Sequence, residues 1–425
     1  MTRTMKRNKE KMKEAVAQAM ASFLGKGSLP MNANLSRAQQ AFKELVTLRR
    51  DFHAHPELSW KERRTQQKIL EYLDKWGIPA VVSTGTGVIA TLEGARNKDV
   101  VLGIRADIDA LPLTEAAHPP YVSQNQGCMH ACGHDTHIAM LLVTARLLAE
   151  KKDDLPLTVR FLFQPAEEYI ADSGALHMKE DPLVKAITRM IAIHIQGMLP
   201  YGMANLQEGP IMAASDTFDI FIKGRGGHGA HPEEAIAPIA AGVAYYNAVQ
   251  TLVSRETKAL DAAVIGITSF QSGETSNVIP ETARLMGTCR TFSPTLRERF
   301  PKQLERLARG IGEATRTTIE ACYHYGTPVM VNDPSVTQTG LAAAAAIFGR
   351  DKVITEEPRM GGEDFAKYDA PKAMLCLGGG FEDEKRRKAQ HNPQFDIDER
   401  ALPLGVAYFL EYVDEYGRKL DGTAI

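Results

Sequence analysis

The sequence predicts an α/β protein that carries a smaller α+β insertion, and three observations lead there. Short, nearly continuous apolar runs alternate with helical patterns up to about residue 212. Between about 213 and 328 the runs alternate apolar with polar residues, and between about 329 and 425 the first pattern returns. Alternating strands and helices imply a layered α/β architecture. Strands of period two imply an antiparallel sheet with one wet face.

Residues 38–76 place Leu45, Leu48, Ile69, Leu70 and Leu73 at helical spacing and stop at Gly77-Ile78-Pro79, which predicts two helices with RRDFHAHPELS (49–59) between them. GVIATLEG (87–94) and VVLGIRAD (100–107) are short and β-branched and read as strands. THIAMLLVTARLLAE (136–150) is a strongly apolar helix, and LTVRFLFQ (157–164) and RMIAIHI (189–195) are strands of a sheet covered on both faces. DTFDIFIK (216–223) opens the insertion and a glycine-rich turn at 224–235 leads into a helix at about 234–254. Strands at 262–270 and 281–291, a helix at 294–317 and a strand at 318–325 complete it. VITEEP, the loop RMGGEDFAKY, the strand AMLCLGGG and a helix at 399–418 follow. The division is therefore 1–35, an N-terminal amphipathic extension; 36–212 and 329–425, the two parts of the main domain; and 213–328, the insertion.

At 425 residues the chain exceeds the size of one comfortable core, and 44% apolar with 24% charged residues is ordinary for a globular protein. A net charge of −2 gives no reason to expect nucleic acid or a membrane surface as partner. Five cysteines, Cys128, Cys132, Cys289, Cys322 and Cys376, argue against a disulfide framework and for a reducing, cytoplasmic setting. No stretch approaches the roughly 18 apolar residues of a membrane span. The first 26 residues carry seven Lys/Arg against two Glu, with Met12, Val16, Ala19, Met20 and Phe23 at helical spacing. That pattern fits an amphipathic helix docked on the body; Glu10 and Glu14 weaken an organellar presequence.

Chemistry concentrates in CMHACGHDTH (128–137) and FLFQPAEE (161–168). Cys132 and His134 are soft and borderline ligands beside a helix start, and Glu167 and Glu168 follow a buried strand through the Pro165 turn. One carboxylate of such a pair can hold metal while its neighbour holds water. Taken singly, none of these is decisive. Cys132 also reads as a small buried hydrophobe, His134 as a polar contact at a helix start, and Glu167-Glu168 as a solvated pair. His194, inside IAIHIQG, also reads as a satisfied core histidine, and His391, in AQHNPQFD, as a surface residue. Their order along the chain carries the case for metal-assisted hydrolysis.

Together with HPELSW (55–60), RADIDALPLTE (105–115), GRGGHGAHPE (224–233), SGETSNVIPE (272–281), GGEDFA (361–366) and HNPQFDID (391–398), these stretches resemble the N-acyl-amino-acid amidohydrolase branch of the two-domain co-catalytic metallopeptidases. That branch includes hippurate and auxin-conjugate hydrolases, with aminoacylases more distant. The resemblance spans about residues 45–415. It implies a zinc-peptidase-like α/β catalytic domain with an inserted α+β, ferredoxin-like lid or dimerisation domain. It implies two divalent ions, Zn or Mn with Co or Ni serving in vitro, held by Cys132, His134, Glu168, His194 and His391. It makes Glu167 the general base, Asp107 an orienting carboxylate behind the ligands, and His228 the donor to the scissile carbonyl oxygen. His231 lies close by and also reads as an ordinary loop histidine. Arg105 stands where distant relatives have a histidine ligand, which leaves the metal open. Asn277, Arg290, Gly361 and Gly362 resemble a pocket for the substrate's free carboxylate, where a guanidinium pairs bidentately. The implied substrate is an N-acyl amino acid and the implied assembly a homodimer through the lid. A dipeptidase or carboxypeptidase shares the chemistry. A silent metal- or ligand-binding relative should have lost Glu167 or His228, and both are present.

Overall fold

A computed structural model describes residues 32–117 and 119–422, which divide into two compact units. The first takes residues up to Gly209, Val331–Glu356 and those from Lys367 onward; the second takes Pro210–Met330 with Glu357–Ala366. The amphipathic helix expected around Met12–Phe23 lies outside the described residues.

The first unit is built on an eight-stranded mixed sheet. Its strands are β1 (Ala80–Ser83), β2 (Gly87–Leu92), β3 (Asn97–Asp107), β4 (Leu157–Gln164), β5 (Arg189–Pro200), β6 (Ala204–Asn205), β7 (Val353–Ile354) and β8 (Lys372–Gly380). In space they run β1-β2-β4-β3-β5-β8-β6-β7. The central pairs β4/β3, β3/β5 and β5/β8 are parallel. β4 is buried along nearly its whole length and β5 along most of it. Such continuous burial is what their unbroken apolar runs anticipated. Around the sheet lie helices α1 (Ala33–Gln40), α2 (Phe42–Ala54), α3 (Arg63–Lys75), α4 (His134–Ala149), α5 (Pro334–Phe348) and α6 (Leu402–Leu420). α4 is buried almost all round.

Two helices were expected from residue 38 and three are present, because α1 begins five residues earlier. Asn32 caps it, its side chain accepting from the N–H groups of Asn34 and Leu35. α1 is held to α6 by Asn32 and Asn34, whose amides each reach Glu411 at 2.9 Å.

The second unit holds a four-stranded antiparallel sheet. Its strands β9 (Ala214–Lys223), β10 (Ala263–Gln271), β11 (Thr282–Thr291) and β12 (Thr318–Thr327) run in the order β10-β11-β9-β12. Burial alternates along β9 and β11. Their inward side chains meet helices α7 (Pro238–Glu256) and α8 (Pro294–Thr315) in a core of Phe218, Ile220, Tyr245, Leu285 and Phe300. The loop Glu357–Ala366, with Gly361 and Gly362, packs with this unit, a placement the sequence pattern did not suggest. Among the described residues no helix is long and apolar enough to cross a membrane.

Candidate metal centre

The residues singled out for metal converge in the first unit. Ligand atoms of Cys132, His134 and His194 all lie within 4.8 Å of one another, as do those of Cys132, Glu168 and His391, and those of His134, Glu167 and Glu168. Cys132 Sγ is 3.5 Å from His194 Nε2, and His391 Nε2 is 3.2 Å from Glu168 Oε1. The fold delivers them from four places. His134 opens α4, His194 sits within β5, and Glu167 and Glu168 follow β4. His391 comes from the loop beyond β8 in a left-handed conformation, φ 64°, with its N–H on the carbonyl of Ala131. Gly133 makes the helix start possible: its φ is 93°, and a Cβ there would stand 2.3 Å from Ile195 Cγ2.

Hydrogen bonds aim the histidines. His134 Nδ1 donates to the backbone oxygen of Asp109 at 2.9 Å, and His194 Nδ1 to that of Ile195 at 2.8 Å. Both rings are thereby turned to present Nε2, the arrangement of a ligating histidine fixed from behind. His134 Nε2 is buried and accepts no hydrogen bond. His137 also lies beside this cluster, yet Nδ1 is on Asp107 at 2.5 Å and Nε2 accepts from the N–H of Ile195 at 2.9 Å. Both its nitrogens are spent, so it braces β5 rather than offering a lone pair.

Asp107 was expected to orient a ligand. Its Oδ1 is on His137 and its Oδ2 on Arg105 at 2.6 Å, and that oxygen comes to 3.5 Å of the front nitrogen of His134. The group behind His134 is Asp109, whose Oδ2 also accepts from the N–H of Glu168 at 3.0 Å. Asp-x-Asp spacing on an extended segment was the signal for it. His137, one helical turn from His134, had the same kind of signal. Arg105 is buried and bonded to Asp107 and Gln164, so it neutralises a carboxylate and is no ligand.

The electrostatics fit a cation. Burial alone would lower His134, but the carboxylates of Asp107 and Asp109 overcome it and raise its pKa to about 10. Burial, then Glu168, Glu167 and Asp107, push the Cys132 thiol well above its ordinary range. Burial, reinforced by His137, pulls His194 down to about 3, so its ring is neutral and ready to coordinate. A negative field that retains protons on a thiol and an imidazole is one a divalent ion satisfies by displacing them.

The remaining candidates lie in the second unit and form two groups. His228 is exposed on the short strand Gly227–His228, which pairs with Val278–Ile279, so Asn277 lies beside it and its carbonyl accepts from the N–H of Gly229 at 2.8 Å. His228 Nδ1 accepts from the N–H of Ala230 at 3.1 Å, which leaves the proton on Nε2, pointing outward as a donor. His231 lies against it with the rings tilted at 50° and their centroids 5.4 Å apart. In the other group, Arg290 pairs in register with Ser215 across β11 and β9. A Cβ on Gly362 would stand 2.6 Å from Ser215 Cβ, so the Gly361-Gly362 backbone passes directly over the same residue. One Arg290 nitrogen is spent on Thr288 and on the carbonyls of Asp216 and Cys289.

Comparison with known proteins places the chain in a family. The profile of peptidase family M20/M25/M40 matches residues 103–415. The chain belongs to that family and is a hydrolase acting on amide bonds. It is 40% identical over 379 residues to an N-acetylcysteine deacetylase of Bacillus subtilis, covering 88% of this chain and 97% of that one. It is 40% identical over 290 residues to an N-acyl-L-amino acid amidohydrolase of Geobacillus stearothermophilus, covering 68% and 78%. A crystal structure of a dinuclear metal-binding M20 peptidase from Bacillus subtilis superposes with a TM-score of 0.76 at 36% identity, covering 88% of this chain and 98% of that one.

Proposed function

We propose that this protein is a metal-dependent amidohydrolase that cleaves N-acyl amino acids to a carboxylic acid and a free amino acid. The observation that carries the reading is the convergence of Cys132, His134, His194, Glu168 and His391 beside Glu167, two of the histidines braced from behind. The donor set suits two divalent ions, and a thiolate among imidazoles favours Zn, with Mn the other candidate. When bound, such ions lower the pKa of water from about 15.7 toward about 7 and polarise the scissile carbonyl.

Glu167 takes a proton from the attacking water and passes it to the leaving amine. His228 donates from Nε2 to the oxygen on which charge develops. Arg290, Asn277 and the backbone of Gly361-Gly362 hold the substrate's free carboxylate. The second unit acts as lid, and a homodimer formed through it belongs to the same reading. Edge strand β10 exposes Val264 and Phe270 there. The five cysteines, all among the described residues, form no disulfide, which suits a cytoplasmic setting.

The test is amino-acid release from acetyl-, benzoyl- and indoleacetyl-amino acids by chelator-stripped protein given back Zn, Mn or Co. Release restored by metal is expected, and the panel ranks acyl group and metal together. Silence across the panel with two ions bound overturns the reading.

A further inference from the structure

We propose that Glu62 is a positioning residue for the catalytic carboxylates, fixing the turn that aims Glu167. The proposal rests on the reading of Glu167 as the base.

Glu62 occupies the N-cap of α3, where an acidic side chain ordinarily accepts from the helix's first N–H groups. It does not cap. Those N–H groups, of Arg64 and Thr65, go instead to Glu57 at 3.1 and 2.8 Å. Relieved of that task, the Glu62 carboxylate crosses to the end of β4. Oε1 accepts from the N–H of Ala166 at 2.9 Å and Oε2 from the hydroxyl of Thr86 at 2.6 Å. The side chain is 0% exposed. Burial, opposed in part by Thr86, raises its pKa to about 7, so a carboxyl is kept here against a desolvation cost.

Ala166 is the residue before Glu167 and has φ 50°, a left-handed conformation that a non-glycine residue adopts only when its surroundings impose it. On the other side of Glu167, the N–H of Glu168 is held by Asp109 Oδ2, itself fixed by the hydroxyl of Ser59 at 2.7 Å. The backbone amides flanking the base are thus both gripped by buried carboxylates, and Ser59 and Glu62 belong to one short segment. A base must meet its proton within hydrogen-bonding distance, so releasing one grip misplaces it.

The experiment compares wild type, Glu62→Ala, Glu62→Gln, Glu62→Asp and Glu62→Ala/Ala166→Gly, and repeats Glu62→Ala in a Glu167→Gln background. Turnover, bound metal and amide exchange of the 160–170 segment are measured on each. Glu62→Ala should lower kcat about 100-fold, with KM and metal content unchanged. Glu62→Gln should retain most of the rate, because its amide oxygen still accepts from Ala166 and Thr86 can accept from its NH2. Glycine at 166 adopts φ 50° without strain and should recover much of the loss. In the Glu167→Gln background the Glu62 change should add nothing. Should Glu62→Ala not fold, Glu62→Asp shortens the reach by one methylene and keeps the charge, with the same expectation in kcat.

Wild-type kcat in Glu62→Ala overturns the proposal. So does a loss that glycine at 166 leaves untouched and that adds fully to Glu167→Gln, since that marks a general structural role. Exchange is read independently of activity: an Ala166 amide no faster in Glu62→Ala than in wild type removes the clamp. A wild type that hydrolyses nothing, with exchange faster in Glu62→Ala, faults the assigned reaction and leaves the clamp standing.

Discussion

His134 and His194 of the first unit and His228 of the second are treated in opposite ways, with the exposed ligand candidate His391 standing apart from the first pair. In the first unit His134 and His194 are 1% and 7% exposed, each held through Nδ1. In the second, His228 is exposed and held by a single backbone contact, and His231 leans on it from an exposed turn. A metal site must hold several atoms to within tenths of an ångström, and burial with hydrogen bonds from behind achieves that. A donor that meets the substrate has to arrive with it, and an exposed loop allows that. On the proposed reading, the first unit supplies rigidity and the second access.

The sharpest way to break this comparison is Glu167→Gln. Turnover should fall by about 100–10,000-fold while two ions remain bound, measured by metal analysis on the same sample that is assayed. Next is His228→Ala, expected to cost about 100–1,000-fold in kcat with metal content unchanged. Loss of metal in that variant would mean the two units are not separable in this way. Asp109→Asn keeps the backbone oxygen that His134 Nδ1 donates to but removes the carboxylate charge beside that ring, and should weaken metal binding by about 10–100-fold in a chelator competition, with the opposite signature to His228. Arg290→Gln should raise KM by about 10-fold or more and leave metal untouched; an unchanged KM would place the substrate carboxylate elsewhere.

The smallest effect concerns stability. Burial and Arg49 both disfavour the charged form of His53, but Asp135 and Glu115, one on each ring nitrogen, raise it from 6.5 to about 9. A pKa raised on folding contributes stability that is fully present below about pH 6.5 and lost as pH rises through about 9. Denaturant titrations should show a decline across that window, of at most about 3 kcal/mol, that His53→Gln flattens.

Much of this was legible in the sequence because period and run length report directly on burial. The unbroken LTVRFLFQ is a strand buried along its length, and the alternating DTFDIFIK is one with an open face. The ligand candidates were legible through their order along the chain. What stayed hidden were the residues behind them. Asp109 serves a histidine 25 residues away, and Glu62 serves a backbone N–H 104 residues away. Asp-x-Asp spacing was the one hint of the first, whose acceptor is a main-chain carbonyl; no local pattern marks the second, since its acceptor is an ordinary acid and its donor is main chain. The Gly361-Gly362 loop was assigned to the main domain for a related reason: Gly362 lies against the side chains of Ser215 and Thr327, which carry no motif.

The position of β8 has a consequence for biogenesis. This strand lies between β5 and β6, yet it is among the last segments to be synthesised. The four-stranded sheet of the second unit has all its strands by Thr327, whereas the larger sheet waits for Gly380. On the ribosome the inserted unit can therefore finish first, while the emerging parent sheet holds the edge of β5 unpaired for many tens of residues. That edge carries His194, so a nascent chain stalled in this interval presents to chaperones an apolar strand that the finished protein covers along most of its length.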